Sequence, residues 1–149
     1  MKDKKPILCI DFDGVIHAYT SGWQGPRNIP DDIIPGAIEF LDKATGHFKV
    51  CIYSSRSRYL GAKRAMKKWI RAHYENYVLE QYPEFIERDP MNEDRAMYES
   101  VTDSFMWSLK FPTRKPPAFL MIDDRAFLFK GEFPNPKKLL KFKPWYKND

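Results

Sequence analysis

Short runs of consecutive apolar residues alternate along the chain with longer amphipathic segments. Strands are predicted at Ile7–Ile10, 48–53, 105–111 and 119–122, with a short last strand at 127–129. Uninterrupted apolar runs of this length are typical of parallel sheets, because both faces of such a sheet are covered. The pattern therefore predicts a mainly parallel sheet.

Helices are predicted between these strands. Pro35 suits the first turn of a helix that ends at Gly46, with an apolar side made of Ile38, Phe40, Leu41 and Ala44. A second amphipathic helix is predicted over 58–74. Its apolar side consists of Met66, Trp69, Ile70 and His73. A strand, a helix and a strand of these lengths form a βαβ unit with a right-handed crossover. We expect an α/β fold with a Rossmann-like sheet flanked by helices.

The segment at about 75–104 is acidic, aromatic and irregular in its spacing. Helices are predicted only around 83–86 and 93–101. We interpret the segment as a small insertion that caps the site or binds a partner, so no large cap domain is expected. The tail over 137–147 mixes aromatic residues with five lysines. It is predicted to pack on the body of the domain, with a nucleic-acid or membrane-surface contact as the alternative.

Length and composition limit the class of protein. A chain of 149 residues is expected to form a single domain over 1–149 with a real core. No apolar run is long enough to span a bilayer, and the N-terminus does not resemble a secretory signal, so a cytoplasmic protein without a membrane contact is expected. Cys9 and Cys51 both fall in predicted strands, where two buried, reduced thiols are expected.

The net charge of +5 is unevenly distributed. Residues 43–74 contain nine lysines and arginines and no acid, whereas residues 75–103 contain nine acids and two arginines. A basic balance suits an anionic substrate, including nucleic acid, but a run of charge is equally compatible with a solvated helix face.

Polar residues directly follow three of the predicted strands. Asp11 and Asp13 come after the first strand, Ser54 after the second, and Asp123 and Asp124 after the fourth. Because ligands bind at the carboxyl ends of strands in open α/β sheets, we expect these groups to form one site. Four carboxylates around one point require a divalent cation, and Mg²⁺ is the hard, oxygen-binding choice. A negatively charged phosphoryl group bound between this cation and nearby basic residues would compensate the positive charge of both.

These motifs resemble those of the haloacid dehalogenase-like (HAD) phosphohydrolase superfamily. The resemblance is carried by D-F-D-G-V at 11–15, Ser54, Lys115 and I-D-D-R at 122–125. It covers the chain in order from Ile7 to Arg125. S-x-R after the second strand and I-D-D-R are also similar to the phosphatase domains of phage polynucleotide kinase-phosphatases, and I-D-D-R to small 5'-deoxyribonucleotidases. A HAD-like Rossmannoid fold is therefore expected.

The resemblance implies a role for each matching residue. Asp11 would be the nucleophile, and Asp13 the general acid and base, with its main-chain carbonyl on Mg²⁺. Asp123 would ligate Mg²⁺, with Asp124 as a second ligand or an orienter of bound water. Ser54 would bind the phosphoryl oxygens.

The basic and remaining substrate-binding residues are less specific. Lys115 would neutralise the aspartyl phosphate, with Arg114 and Lys110 as alternatives for this role. Arg56 is an expected phosphate contact, with a structural role as the equal alternative. The other expected substrate-binding residues are Gly14, Ser55 and Trp23. Trp23 lies between glycines on a loop, where it would cover a substrate, stack on a base or pin the loop. His17 is expected to be a hydrogen-bonded structural group.

Together these expectations describe a Mg²⁺-dependent phosphatase that forms an aspartyl phosphate. Its substrate would be a nucleotide, another phosphorylated small molecule or a phosphorylated nucleic-acid end. Two alternatives remain open. One is an inactive HAD-like module that binds phosphate or metal and acts through a protein partner, and the other is a metal-dependent nuclease.

Overall fold

The computed structural model describes residues 4–83 and 93–147. Within them, four short strands alternate with helices in chain order. The strands are β1 (Ile7–Ile10), β2 (Lys49–Ile52), β3 (Leu109–Lys110) and β4 (Leu120–Ile122). The helices are α1 (Ala37–His47), α2 (Ala62–Gln81), α3 (Glu93–Ser108) and the single turn α4 (Pro136–Leu139).

All neighbouring strands in the sheet are parallel, in the order β3-β2-β1-β4. Ile10 pairs with Ile52 on one side and with Ile122 on the other. This register places the carboxyl ends of β1, β2 and β4 side by side at one edge. The predicted α/β class and the parallel, Rossmann-like sheet are confirmed.

The core lies on one face of the sheet. Alternate residues of β1 and β2 join a single apolar cluster with the inward-facing residues of the helices. The fully buried members include Leu8, Ile10, Val50, Ile52, Leu41, Met66 and Ile70. Cys9 and Cys51 are paired across β1 and β2 and alternate to the opposite face. Both thiols are buried and unpaired, as the sequence predicts.

The helix boundaries differ from the predicted ones. Helix α1 continues past Gly46, and α2 begins four residues later than expected. Residues 55–58 form a 3₁₀ turn, because the Ser54 side chain caps it and Ser57 completes a reciprocal capping box. Gly61 then adopts a φ of 79° immediately before α2. Local capping thus forms a separate 3₁₀ turn before α2, which the apolar periodicity did not predict.

Two predicted strands are wrong in whole or in large part. Helix α3 occupies most of the segment predicted as a strand at 105–111, leaving β3 only two residues long. Thr102 and Phe105 of α3 are both buried, and their spacing of three places them on one side of the helix. The Phe105 ring stacks on Tyr74 of α2 with centroids 3.9 Å apart. No strand forms at 127–129, where the apolar side chains are exposed.

The segment from 75 onwards begins as regular structure. Residues 75–81 continue α2, and α3 confirms the helix predicted over 93–101. The helix predicted around 83–86 lies largely outside the described residues. Among those described, no helix is both long enough and apolar enough to cross a membrane.

Packing of α2 on the sheet is expected to contribute most of the stability of this face. Ile70 is fully buried, so Ile70→Ala should lower the free energy of unfolding by about 2–5 kcal/mol through lost burial and a residual cavity. Urea denaturation followed by circular dichroism measures this change. Lys68→Ala, at an exposed position on the same helix, is the matched control and should change stability by less than about 0.5 kcal/mol. Equal effects of the two substitutions would contradict the packing described.

Candidate active site

Three carboxylates meet at the carboxyl edge of the sheet. Asp11 directly follows β1, and its main-chain N–H donates to the carbonyl of Ile122 at 2.9 Å, which extends the pairing with β4. Asp123 and Asp124 follow Ile122. One oxygen from each of the three carboxylates lies within 4.8 Å of the others. We call Asp11, Asp123 and Asp124 the acid cluster.

Asp124 is the most deeply buried member of the acid cluster. Its side chain is 2% exposed, and neither carboxylate oxygen has a hydrogen-bond partner among the described residues. The nearest cationic group is Arg125, whose Nε lies 3.7 Å from Oδ2. A buried carboxylate with one distant cationic partner is costly, and a divalent cation would offset this cost. Three carboxylates are also the hard oxygen donors that Mg²⁺ prefers, so Asp11, Asp123 and Asp124 fit the expected metal.

The acid cluster strongly perturbs Asp11. Burial and the neighbouring Asp124 carboxyl raise the pKa of Asp11 from 3.8 to about 8. The main-chain N–H of Phe12, which donates to Asp11 Oδ1 at 2.8 Å, acts in the opposite direction. The negative charge of Asp123 raises the pKa further. Without a cation, Asp11 therefore holds a proton at neutral pH.

Asp13 has the opposite environment and does not belong to the acid cluster. Arg56 donates to it from two nitrogens, from Nε to Oδ2 at 2.9 Å and from Nη2 to Oδ1 at 2.8 Å. His17 Nδ1 lies 2.9 Å from Oδ1. Burial alone would raise the pKa of Asp13, but these hydrogen bonds and charges hold it below its ordinary value. The side chain of Asp13 is thus held ionised, apart from the expected metal ligands.

Arg56 and His17 are both completely buried. The Nη1 group of Arg56 donates to the main-chain carbonyls of Gly25, Pro26 and Asn28 at 3.2–3.5 Å. Its guanidinium therefore ties the loop between β1 and α1 to Asp13, which is the structural alternative for this residue. His17 accepts a hydrogen bond at Nε2 from a main-chain N–H in the same loop, so its proton lies on Nδ1 and is donated to Asp13. The structural interpretation of His17 is confirmed.

Ser54 lies at the same sheet edge, two residues beyond the end of β2. Its hydroxyl is buried and accepts a hydrogen bond from the main-chain N–H of Arg56 at 3.3 Å. The hydroxyl hydrogen has no acceptor in the part of the chain that the structure describes. Ser55 is exposed at the start of the 3₁₀ turn. Ser54 is therefore a cap that retains one hydrogen-bond donor for a ligand.

None of the three candidate basic residues forms an ion pair with the acid cluster within the described ranges. Lys110 donates to the carbonyl of Trp107 at 3.2 Å and lies over its ring, at the β3 edge of the sheet. Arg114 and Lys115 are exposed on the connection between β3 and β4. Arg125 is instead the basic residue nearest the acid cluster. Its position directly after Asp124 in the I-D-D-R motif was the signal that could have identified it.

The C-terminal tail forms one wall of the site. Trp145 Nε1 donates to the carbonyl of Gly14 at 2.8 Å, and Arg125 donates to the Tyr146 hydroxyl at 3.2 Å. Gly14 has a φ of +83°, and a Cβ there would overlap Asp124 Oδ2 and lie 2.8 Å from the Tyr146 ring. The tail was expected to pack on the body, but its position over the acid cluster could not be predicted because it depends on contacts across the whole chain.

Gly14 provides a test of this close packing. Gly14→Ala and Gly36→Ala should both incur the cost of a left-handed backbone, about 1–2 kcal/mol, because both glycines have a φ of +83°. Only Gly14→Ala should also displace Asp124 and the tail, since nothing lies within 4 Å of a Cβ at Gly36. Gly14→Ala should therefore be the more destabilising in urea denaturation and should weaken Mg²⁺ binding in isothermal titration calorimetry. Indistinguishable behaviour of the two variants would exclude the packing described.

The raised pKa of Asp11 predicts a pH dependence in metal-free buffer. The folded pKa of about 8 lies above the ordinary 3.8, so the stability linked to this proton is fully present below about pH 4. It is lost progressively as the pH rises towards 8. Asp11→Asn removes the charge, so this variant should gain stability relative to the wild type as the pH increases. Urea denaturation in EDTA at pH 5 and pH 8 measures the difference.

Glu132→Gln, which changes an exposed acid, is the control for that comparison and should follow the wild type. Adding Mg²⁺ at pH 8 should stabilise the wild type more than Asp11→Asn. Parallel pH profiles for the wild type and Asp11→Asn would contradict the environment assigned to Asp11.

Comparisons were made with protein-family models, curated proteins and solved structures, and nothing matches the chain. A functional interpretation of the acid cluster therefore depends on its geometry and chemistry, together with the motifs in the sequence.

Proposed function

We propose that this protein is a Mg²⁺-dependent phosphomonoester hydrolase with a HAD-like fold, working through an aspartyl phosphate on Asp11. The observation that carries the proposal is the acid cluster at the ends of β1 and β4. Its oxygens converge within 4.8 Å, and the nearest cationic group to the buried Asp124 carboxylate is Arg125, 3.7 Å away. Without a metal ion, only this arginine and a proton on Asp11 offset the mutual repulsion, which supports a site for a divalent cation.

The proposed reaction has two displacements at phosphorus. In the first, a carboxylate oxygen of Asp11 forms a bond to phosphorus while the bond to the ester oxygen breaks. The leaving oxygen takes a proton from Asp13. In the second, water attacks the aspartyl phosphate, gives its proton to Asp13, and releases phosphate with Asp11 restored as a carboxylate. The proton gained in the second step is the one used in the next first step, so the cycle balances.

The environment of Asp13 suits the second displacement directly. Its pKa is held low by His17 and Arg56, despite burial, so it is present in the ionised form that accepts a proton. To protonate a poor leaving group, Asp13 must first carry a proton. This requires its ion pair with Arg56 to loosen when the substrate binds. We therefore expect the rate of the first step to increase as the leaving group becomes more acidic.

The remaining residues would bind and neutralise the phosphoryl group. A bound Mg²⁺ supplies the positive charge that keeps Asp11 ionised at neutral pH and offsets the charge of the phosphoryl oxygens. Asp11, Asp123 and Asp124 would hold this ion. Ser54 would donate its free hydroxyl hydrogen to a phosphoryl oxygen. Lys115 is exposed and unpaired among the described residues, and we assign it the expected neutralising role only in the substrate-bound state.

A second candidate is a HAD-like module that binds metal or phosphate without turnover. Two observations favour it. Neither Lys115 nor Arg114 pairs with the acid cluster in the described part of the chain, and Asp13 is engaged by Arg56 in a two-point ion pair. Measurement of turnover separates this candidate from the phosphatase.

A phosphatase panel on the purified protein tests the proposal. With Mg²⁺ present, an aryl phosphate, 5'- and 3'-nucleotides, and 3'-phosphorylated DNA and RNA ends are compared by phosphate release. Asp11→Asn should lower kcat by at least about a thousandfold, because the nucleophile is lost. The wild type, but not the variant, should yield an acid-stable phosphoenzyme that mass spectrometry locates at Asp11.

Glu132→Gln serves as the control in the same panel and should retain full activity. A phosphodiester, bis(p-nitrophenyl) phosphate, tests for the nuclease alternative, which needs no phosphoenzyme. If wild type and Asp11→Asn are equally inert towards every substrate while the wild type still binds Mg²⁺, the phosphatase proposal fails and the binding module is favoured.

A further inference from the structure

Two aromatic side chains contact each other on segments that lie close in the sequence to Ser54 or are tied to Asp13 by Arg56. Trp23 lies on the loop between β1 and α1, and Tyr59 follows the 3₁₀ turn that Ser54 caps. Their ring centroids are 5.9 Å apart, with the planes inclined by 46°. Trp23 is 45% exposed and Tyr59 is 41% exposed. We call this pair the aromatic platform.

The platform is connected to the site through Arg56. The guanidinium carbon of Arg56 lies 5.2 Å from the centre of the Trp23 ring, and the same guanidinium donates to both carboxylate oxygens of Asp13. Since Arg56 is completely buried, this contact fixes Trp23 relative to Asp13. The loop is therefore held in place by buried hydrogen bonds to its backbone, while the tryptophan remains partly accessible to a ligand.

Two exposed arginines lie on the same segments as the platform. Arg58 is exposed, its guanidinium carbon lies 5.0 Å from the centre of the Tyr59 ring, and it donates to the Tyr59 hydroxyl at 3.0 Å. The side chain of Arg27, also exposed, packs against Gly61, where a Cβ would lie 2.9 Å from its Cδ. Partly exposed aromatic rings beside exposed arginines have the composition of surfaces that stack on bases and contact phosphates.

We propose that Trp23 and Tyr59 bind the nucleobase of the substrate by stacking, with Arg27 and Arg58 contacting phosphate groups beyond the scissile one. This inference rests on the proposed function, because the base belongs to the leaving group of the phosphate ester that the proposed reaction cleaves. The ligand is an aromatic base attached to a phosphorylated sugar. Such a base is supplied either by a free nucleotide or by the end of a nucleic-acid strand.

Binding without turnover tests the platform. Isothermal titration calorimetry in Mg²⁺, on the Asp11→Asn protein, compares AMP with ribose 5-phosphate, which lacks a base. The dissociation constant of ribose 5-phosphate divided by that of AMP measures the contribution of the base to binding. Adding Trp23→Ala or Tyr59→Ala should reduce this ratio by between about fivefold and about a hundredfold, the range found when one stacking partner is lost. Tyr59→Phe keeps the ring and should preserve the ratio.

Trp107→Ala is the matched control. Trp107 is 81% exposed on α3, and Lys110 lies over its ring. It is therefore an exposed aromatic group beside a cation, but it does not belong to the segments that carry the platform. It should leave the ratio unchanged. The inference is overturned if both Trp23→Ala and Tyr59→Ala leave the ratio intact, or if they weaken AMP and ribose 5-phosphate equally. Equal weakening would mean that the rings only support the loop.

The source of the base is decided in the same experiment with a 5'-phosphorylated hexanucleotide. If Arg27 and Arg58 contact additional phosphates, the hexanucleotide should bind more tightly than AMP. The slope of its log affinity against log salt concentration should then fall by about one for each arginine replaced by alanine. Equal affinities and slopes would identify a free nucleotide as the source and overturn the assignment of the two arginines. Because binding is measured without turnover, the platform and the phosphatase proposal can fail separately.

Discussion

Electrostatic repulsion among Asp11, Asp123 and Asp124 is the constraint on which the rest of the site depends. Parallel pairing of β1 with β4 forces the three carboxylates to one point, and burial of Asp124 removes the water that would otherwise screen them. The protein compensates only partly, since Arg125 is the nearest cation and lies 3.7 Å from Asp124. Without a cation, a proton on Asp11 neutralises part of the remaining negative charge, because the pKa of Asp11 is raised to about 8. A divalent cation bound to the acid cluster would replace that proton and leave Asp11 ionised.

Asp13 lies only two residues from Asp11, but its negative charge is compensated by hydrogen-bond donors and not by a proton. Its carboxylate receives a two-point hydrogen bond from Arg56 and a further one from His17. The pKa values of the two aspartates are thereby driven in opposite directions, a separation that suits different chemical roles. Arg56 serves a second purpose, because it also holds the loop that carries Trp23. Arg56 thus acts with His17 to hold Asp13 ionised, and it also holds the loop on the same side of the sheet.

Distant parts of the chain complete the site around this sheet edge. The tail brings Trp145 and Tyr146 against Gly14, where only a glycine leaves room for both the ring and Asp124. The 3₁₀ turn brings Tyr59 next to Trp23, on the loop that Arg56 ties to Asp13. The surroundings of the sheet edge are therefore set by segments that lie far apart in the sequence.

The sequence by itself determined the α/β class, the strands β1, β2 and β4, and the acids that follow them, because these depend on local apolar runs and on the alignment of parallel strands. It did not separate β3 from α3, since the apolar run at 105–111 has the length of a strand, whereas the packing of Phe105 on Tyr74 belongs to a helix that ends at Ser108. Nor did it distinguish Asp13 from the acid cluster or decide the role of Arg56. Those assignments depend on which partner each side chain reaches across tens of residues, and only tertiary packing brings Arg56 to Asp13 and Tyr146 to Gly14.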